Sequence, residues 1–283
     1  FQASRSCASD VIPVTMATQE QTLDQELIDS YLINEFGVRY EYPLECYNVI
    51  QEEYGIPRKQ CLAHRRFRFK SLEELLQERS PDTIYNIYKK YKAILSDDEF
   101  TRIHSVYNFS KSDVRQMFTV LCRGLPKRRS VLLYGPSNTG KSILANALMF
   151  PFAPGYIQRD GGTNVHWLEH IYRRNFILWE EPSIHMSNVE DAKLLLGGER
   201  LAINRKNKEI IERINDPAVV VTTNREIWLY GGEAIKNRCL IFQLHRKVSQ
   251  YLQYPHEIWL PQSILGYLCD LYDGRRDPRD VDE

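Results

Sequence analysis

The sequence predicts an α/β domain built on a central, mostly parallel sheet and preceded by a helical region. Three observations predict it. Four short, apolar, β-prone runs occur between residues 130 and 244: Ser130–Tyr134, Phe176–Trp179, Ala218–Thr223 and Cys239–Leu244. Helix-like stretches separate them, the alternation that builds parallel sheets. A glycine-rich octapeptide, Gly135-Pro136-Ser137-Asn138-Thr139-Gly140-Lys141-Ser142, joins the first run to an apolar helical stretch, Ile143–Met149.

Taken in order, residues 1–20 are small, polar and unpatterned at their start, and are expected to be flexible. From 21 to 113 the pattern is helical. Leu23, Leu27, Ile28 and Leu32 recur at three- and four-residue steps, as do Leu72, Leu75 and Leu76, then Ile84, Ile87, Tyr88 and Tyr91. Ser71 and Glu74 have the spacing of a capping box, and Gly55, Pro57 and Ser80-Pro81 punctuate the region. The α/β region spans 114–248, a helical segment 249–272, and a charged tail expected to be disordered 273–283.

The 283 residues are enough for one large domain or a core with a smaller companion, and 43% are hydrophobic. Lys+Arg and Asp+Glu total 37 each, so there is no global positive field, and nucleic-acid binding would need a local basic cluster. Cys7, Cys46, Cys61, Cys122, Cys239 and Cys269 form no C-x-x-C pair. That spacing argues against structural zinc and against a disulfide scaffold; reduced thiols in an intracellular compartment are expected. No apolar run approaches the ~18–20 residues of a membrane span. The chain begins at Phe1, as expected of a piece of a longer polypeptide.

The octapeptide fits G-x-x-x-x-G-K-[ST], in the strand–loop–helix setting its chemistry needs. Its glycines let backbone N–H groups turn inward around phosphates, and the helix N-terminus adds a positive dipole end. Lys141 neutralises phosphate charge, and the Ser142 hydroxyl ligates Mg2+. Nucleoside triphosphate, most simply ATP, and Mg2+ are therefore the expected cofactors. Glu180-Glu181 ends the second run and supplies the acidic partner: Glu180 to hold the metal, partly through water, and Glu181 to orient or deprotonate the attacking water. Asn224, after the third run, can contact a γ-phosphate or serve only as turn chemistry. Arg238 precedes the fourth run; it is either an arginine finger for a neighbouring subunit or a surface side chain capping a helix C-terminus.

In this order and spacing the motifs resemble the superfamily 3 helicases of small DNA viruses, and most nearly the helicase domain of parvovirus non-structural (NS1/Rep) proteins. The resemblance covers about Phe118–Leu244. Gly135–Ser142 resembles the family's Walker A loop, Trp179-Glu180-Glu181-Pro182 its Walker B, Val219–Asn224 its motif C with Asn224 as sensor, and Asn237-Arg238 its arginine finger. Asp191–Gly198 followed by Leu201–Lys208 is similar to motif B′, which in that superfamily forms a DNA-contacting hairpin. Lys206 and Lys208 match its basic tip, with Arg205 assisting. The resemblance implies an AAA+-type P-loop ATPase core, a homo-oligomeric ring of six, 3′-to-5′ movement on single-stranded DNA, and replication in the host nucleus. The helical region would correspond to an oligomerisation bundle. No two of the seven histidines are separated by one residue, so the family's nicking domain has no match. Either it lies upstream of Phe1 or the family assignment needs adjusting.

Two rival readings stand beside this one: an RNA-stimulated viral superfamily 3 ATPase, and an oligomeric assembly or packaging adaptor that holds nucleotide as a structural ligand. Other signals carry less. His166-Trp167-Leu168-Glu169-His170 fits an inverted zinc-protease pattern, but a helix packing Trp167 and Leu168 under the sheet is preferred, and no zinc is expected. Pro126-Lys127-Arg128-Arg129 resembles a minimal nuclear-localisation cluster, but is read as an ordinary exposed lead-in to the first strand. Tyr85, Tyr88 and Tyr91 are read as a packed helix face, and not as a base-stacking platform.

Overall fold

The computed structural model describes residues 76, 79–152, 154–157, 166–171, 174–204, 206, 211–213, 217–229, 231–253 and 258–276. The expectations for residues 1–70, including the first helical repeats, and the Ser71–Glu74 capping box lie outside the described residues.

Three helices open the described chain: α1 (Pro81–Lys89), α2 (Asp97–Tyr107) and α3 (Lys111–Leu121). Each starts at a serine whose hydroxyl accepts a backbone N–H: Ser80 from Asp82, Ser96 from Glu99 and Ser110 from Asp113. Such caps satisfy amide donors that have no partner inside the helix. At Ser110 the cap is reciprocal, because the Asp113 carboxylate accepts the Ser110 N–H at 2.8 Å. The buried residues Ile84, Ile87 and Tyr88 on α1, and Phe100, Ile103, Val106 and Tyr107 on α2, fall at helical spacing.

The sheet has five parallel strands: β1 (Ser130–Tyr134), β2 (Gly155–Ile157), β3 (Phe176–Glu180), β6 (Ala218–Thr223) and β7 (Cys239–Gln243), in the order β2-β3-β6-β1-β7. Helices cover both faces, so the inner strands are apolar at successive positions, without in/out alternation. Val131, Leu133, Phe176, Leu178, Ala218 and Val220 pack with α1–α3, α4 (Lys141–Met149) and α7 (Pro261–Asp273). Leu132, Ile177, Trp179, Val219 and Val221 pack on the other face with α5 (Val189–Gly197) and with Ile235 of the short helix α6 (Glu233–Lys236). A two-stranded antiparallel hairpin, β4 (Leu201–Ile203) with β5 (Ile211–Arg213), follows α5.

Helices from 81–107 and from 261–273 share one core with the sheet, so packing is continuous across residues 113 and 248. The three tyrosines behave as a packed face. Tyr88 is fully buried between Phe118 and Phe152 and donates to Leu148 O at 2.7 Å; Tyr85 stacks on Tyr272, and Tyr91 meets Phe150 edge-on. The charged tail starts later than its composition suggests. Asp273 is the last residue of α7, Gly274 closes it at φ 71°, and Arg276 lies over the Phe100 ring and donates to Leu95 O. Residues 277–283 lie outside the described residues. Cys122, Cys239 and Cys269 are buried free thiols; burial pushes Cys239 and Cys269 up to about 12.

The stacked pair Phe152–Phe176, with centroids 3.8 Å apart and both rings fully buried, joins the end of α4 to β3. Phe176→Ala removes one ring from a closed core and is expected to cost about 3–5 kcal/mol, read as a lowered midpoint in chemical denaturation.

Candidate nucleotide site

The register of the sheet brings three strand ends to one edge. Tyr134 sits opposite both Thr223 of β6 and Gln243 of β7, and Glu180 of β3 sits opposite Thr222. The phosphate loop leaves β1 at the centre of that edge. Gly135 donates to Thr223 O at 3.2 Å and has φ 150°; a Cβ there would lie 2.0 Å from Leu244 O. Only glycine lets the loop pass so close to another backbone. At its far end Gly140 has φ 81°, and its carbonyl accepts the Tyr107 hydroxyl at 3.0 Å. Val248 N–H donates to Asn138 O at 2.9 Å, and Asn138 itself is left-handed at φ 65°. Long-range contacts thus tie down both limbs of the loop.

Lys141 and Ser142 open α4. The Lys141 ammonium is buried and donates to the loop's own carbonyls, Gly135 O at 2.8 Å and Pro136 O at 2.6 Å. Desolvation lowers its pKa from 10.5, against the opposing pull of the nearby Glu181 carboxylate. Thr139, fully buried, donates its hydroxyl to Pro136 O at 2.9 Å.

Glu181 follows β3 in a left-handed conformation, φ 46°, which an L side chain rarely adopts. Its N–H donates to Thr222 O at 2.7 Å, and its Oε2 accepts the Asn224 N–H at 3.2 Å. These bonds clamp the ends of β3 and β6 together and hold the strained residue, a pattern typical of functional sites. Ser137–Ile143, Glu181, Asn224, Val248 and Ser249 line one cavity of about 390 Å3. Glu180 ends β3 on the face that carries Leu178. With Tyr156, Glu181 and Thr222 it borders a second cavity of about 440 Å3, which shares Ser142 and Glu181 with the first. Ser142 and Glu181 border both cavities, and Glu180 the second. Among the described residues no group of three or more His, Cys, Asp or Glu side chains could cage a metal. One hydroxyl with two carboxylates fits Mg2+, which keeps several waters and shares its oxygens with phosphates.

Arg238 lies at the opposite edge of the sheet, before β7, whose five residues rise roughly 16 Å in all. Its Nη1 donates to Ala234 O at 2.9 Å near the end of α6, and its Nη2 to Glu199 Oε1 at 3.0 Å. Within its own subunit the side chain caps a helix and is remote from its own phosphate loop. Lys206 is exposed on the connection between β4 and β5, while Arg205 and Lys208 lie outside the described residues.

Two sequence expectations need correction. His166–Leu168 form a turn and Glu169–Ile171 a short 3-10 helix, so the α-helical spacing that would align His166 with His170 is absent. Trp167 and Leu168 are core residues as expected; the aromatic contact of Trp167 with Trp179, centroids 5.4 Å apart, fixes the turn. The basic cluster is less open than its composition suggests, since Arg129 is buried and Arg128 donates to Asn237 O at 3.4 Å. Sequence reasoning missed Tyr107, Val248, Ser249 and Tyr156 around the site and Glu199 beside Arg238. No local motif marks them, because each reaches its place through distant chain contacts.

A glycine-rich loop between a central parallel strand and a helix, with paired carboxylates and an asparagine at the ends of neighbouring strands, is an α/β P-loop core preceded by helices. The sequence model of the family described as parvovirus non-structural protein NS1 matches residues 71–254, and the chain belongs to that family. It is 30% identical to the replication protein E1 of human papillomavirus 30 over 109 residues, 38% of this chain and 17% of that protein. It is 28% identical to the initiator protein NS1 of human bocavirus 2 over 128 residues, 42% of this chain and 15% of that protein. The matched stretches thus span less than a fifth of these curated relatives. A crystal structure of JCV helicase superimposes with a TM-score of 0.52 at 18% identity, covering 83% of this chain and 69% of that one; this likeness is one of fold.

Because an anion favours the ammonium form, a triphosphate on Lys141 raises the pKa that burial lowers. Nucleotide binding is then coupled to proton uptake. Affinity is expected to fall as pH rises through the lowered value towards 10.5. Calorimetric titration at alkaline pH, in buffers of different ionisation enthalpy, reads the proton count directly.

Proposed function

We propose that this chain is the motor of a viral replication initiator: an ATP-dependent DNA helicase that moves 3′-to-5′ along single-stranded DNA as a homo-hexameric ring in the host nucleus. The observation that carries this reading is the convergence of Lys141, Glu181 and Asn224 on one cavity, with Glu181 and Asn224 joined by a hydrogen bond.

The loop amides and Lys141 hold the β- and γ-phosphates, Lys141 exchanging its bonds to Gly135 O and Pro136 O for phosphate oxygens. Ser142 and Glu180 would hold Mg2+, Glu180 partly through water, and the ion would supply charge neutralisation for the phosphates. Glu181 orients or deprotonates the attacking water, and Asn224, tied to it, registers whether the γ-phosphate is in place. Arg238, a strand length away from its own loop, serves a neighbour's phosphates, which makes turnover depend on assembly. Lys206 and Lys208, with Arg205, follow the DNA phosphates from the hairpin.

Glu181→Gln is expected to lower turnover by about 10²–10⁴-fold while nucleotide binding persists, read in steady-state ATPase and equilibrium binding assays. A wild-type protein that binds ATP without turning it over would be an adaptor, and the enzyme reading would fail. Turnover stimulated by RNA and not DNA would favour the RNA-dependent alternative. Strand separation on 3′-tailed but not 5′-tailed duplexes is the expected polarity. The double variant Lys206→Ala/Lys208→Ala is expected to hydrolyse ATP and lose unwinding; unwinding at the wild-type rate would remove the hairpin from the mechanism.

A further inference from the structure

Arg238 is held within its own subunit by a specific set of contacts. Nη1 reaches Ala234 O and Nη2 reaches Glu199 Oε1, but the buried Nε has no acceptor. The side chain lies against Gly197, where a Cβ would come 3.0 Å from both Nε and Glu199 Oε1, so the α5 terminus is shaped around the pair. Glu199 belongs to the turn that joins α5 to the hairpin. Gly198 turns the chain at φ 68°, the Glu199 N–H donates to Leu194 O at 2.8 Å, and β4 begins two residues later. One carboxylate thus connects the candidate arginine finger to the root of the candidate DNA-contacting hairpin.

We infer that Glu199 is an intrasubunit counter-ion that holds Arg238 withdrawn, and that its release couples a neighbour's nucleotide to the hairpin. This inference rests on the reading of Arg238 as acting in trans. The pair is suited to exchange and not to permanent anchoring. The Glu199 side chain is 41% exposed and that of Arg238 23%, the two share one N–H···O contact, and one guanidinium donor is left unmet. Partly exposed pairs of this kind are weak. A triphosphate offers more negative charge and several oxygens to a planar fork of donors, so it takes the guanidinium once a neighbouring subunit presents it. When Arg238 leaves, the 198–200 turn loses this side-chain tie to the start of β7, and the hairpin root is held by one contact fewer. Glu199 is a positioning residue: it acts on phosphate only through Arg238.

The assay measures ATP turnover by the assembled protein, with and without single-stranded DNA, for the wild type, Glu199→Gln, Glu199→Asp and Arg238→Ala. Glu199→Gln keeps the shape and removes the charge. Its KM for ATP is expected to fall by about two- to fivefold, the loss of one partly exposed ion pair, and its stimulation by DNA to fall towards unity. Glu199→Asp, which keeps the carboxylate, is expected to restore both towards wild type. A merely structural role would lower the melting temperature and kcat without lowering KM. If Arg238→Ala abolishes turnover while Glu199→Gln keeps the wild-type KM and DNA response, the counter-ion is excluded and the trans arginine stands. If Arg238→Ala retains wild-type turnover, the trans reading itself falls and the counter-ion with it.

Discussion

The structure depends on the contact between Gly135 and the backbone of Leu244. At the end of β1 the chain passes so close to the residue after β7 that a single methyl group would lie 2.0 Å from a carbonyl oxygen. On its other side Gly135 donates to Thr223 at the end of β6. The phosphate loop therefore starts at the junction of three strands, with its first residue fixed by two neighbouring backbones. The rest of the site follows from that register. Thr223 leads directly to Asn224, and Thr222 holds the N–H of Glu181. Tyr107, from a helix that precedes the sheet, reaches across to the carbonyl of Gly140 and holds the other limb. A one-residue slip of β1 against β6 or β7 would misplace the loop and turn the inward side chains of β1 to the opposite face.

Several local choices at this edge oppose stability. Asn138 and Glu181 have left-handed backbones, and the Lys141 ammonium is buried among carbonyls with its protonated form disfavoured by desolvation. Each left-handed backbone costs on the order of 1 kcal/mol or more. The fold tolerates them because helices cover both faces of the sheet and its inner strands are closed to water. The unfavourable groups also point into the same cavity. A buried ammonium bonded to its own loop, and a carboxylate held in strain beside it, are arranged before any anion arrives.

Which parts were legible in the sequence follows from the physics of each element. Buried parallel strands carry continuous apolar runs, so β1, β3, β6 and β7 stand out, and their order with the glycine loop and the Glu pair marks the edge that holds the candidate nucleotide site. The edge strand β2 has three residues and no run to mark it. The H-x-x-E-H pattern suggested a helix because histidine spacing says nothing of backbone conformation; the packing of Trp167 on Trp179 sets a turn instead. The tail was read from charge and glycine, which also describe a helix end, and Gly274 is such an end. For Arg238 the sequence left two roles, helix cap and finger. The structure shows the first, with Nη1 on Ala234 O; the second belongs to the proposed assembly.

The two faces of the sheet divide its labour. The face that supports α4, and through it Lys141 and Ser142, carries α1–α3 and α7. The opposite face carries α5 and the residues that lead into the hairpin, with Leu195, Leu196, Leu201 and Ile203 in one cluster with Trp179 and Val221. Trp179 immediately precedes the carboxylate pair, and Val221 lies three residues before Asn224. The strands that end at the phosphate loop are therefore the floor on which the hairpin's support is packed. A close-packed cluster of this kind moves as a unit and does not deform residue by residue. A displacement at the ends of β3 and β6 thus reaches α5 through side chains already in contact. The Glu199–Arg238 pair joins the same helix end to the start of β7, the strand on the far side of β1. The hairpin root is thereby joined to the sheet by apolar packing, by the buried hydrogen bond from the Ser130 hydroxyl to Leu196 O at 3.0 Å, and by this partly exposed ion pair, which is the contact a change of charge acts on.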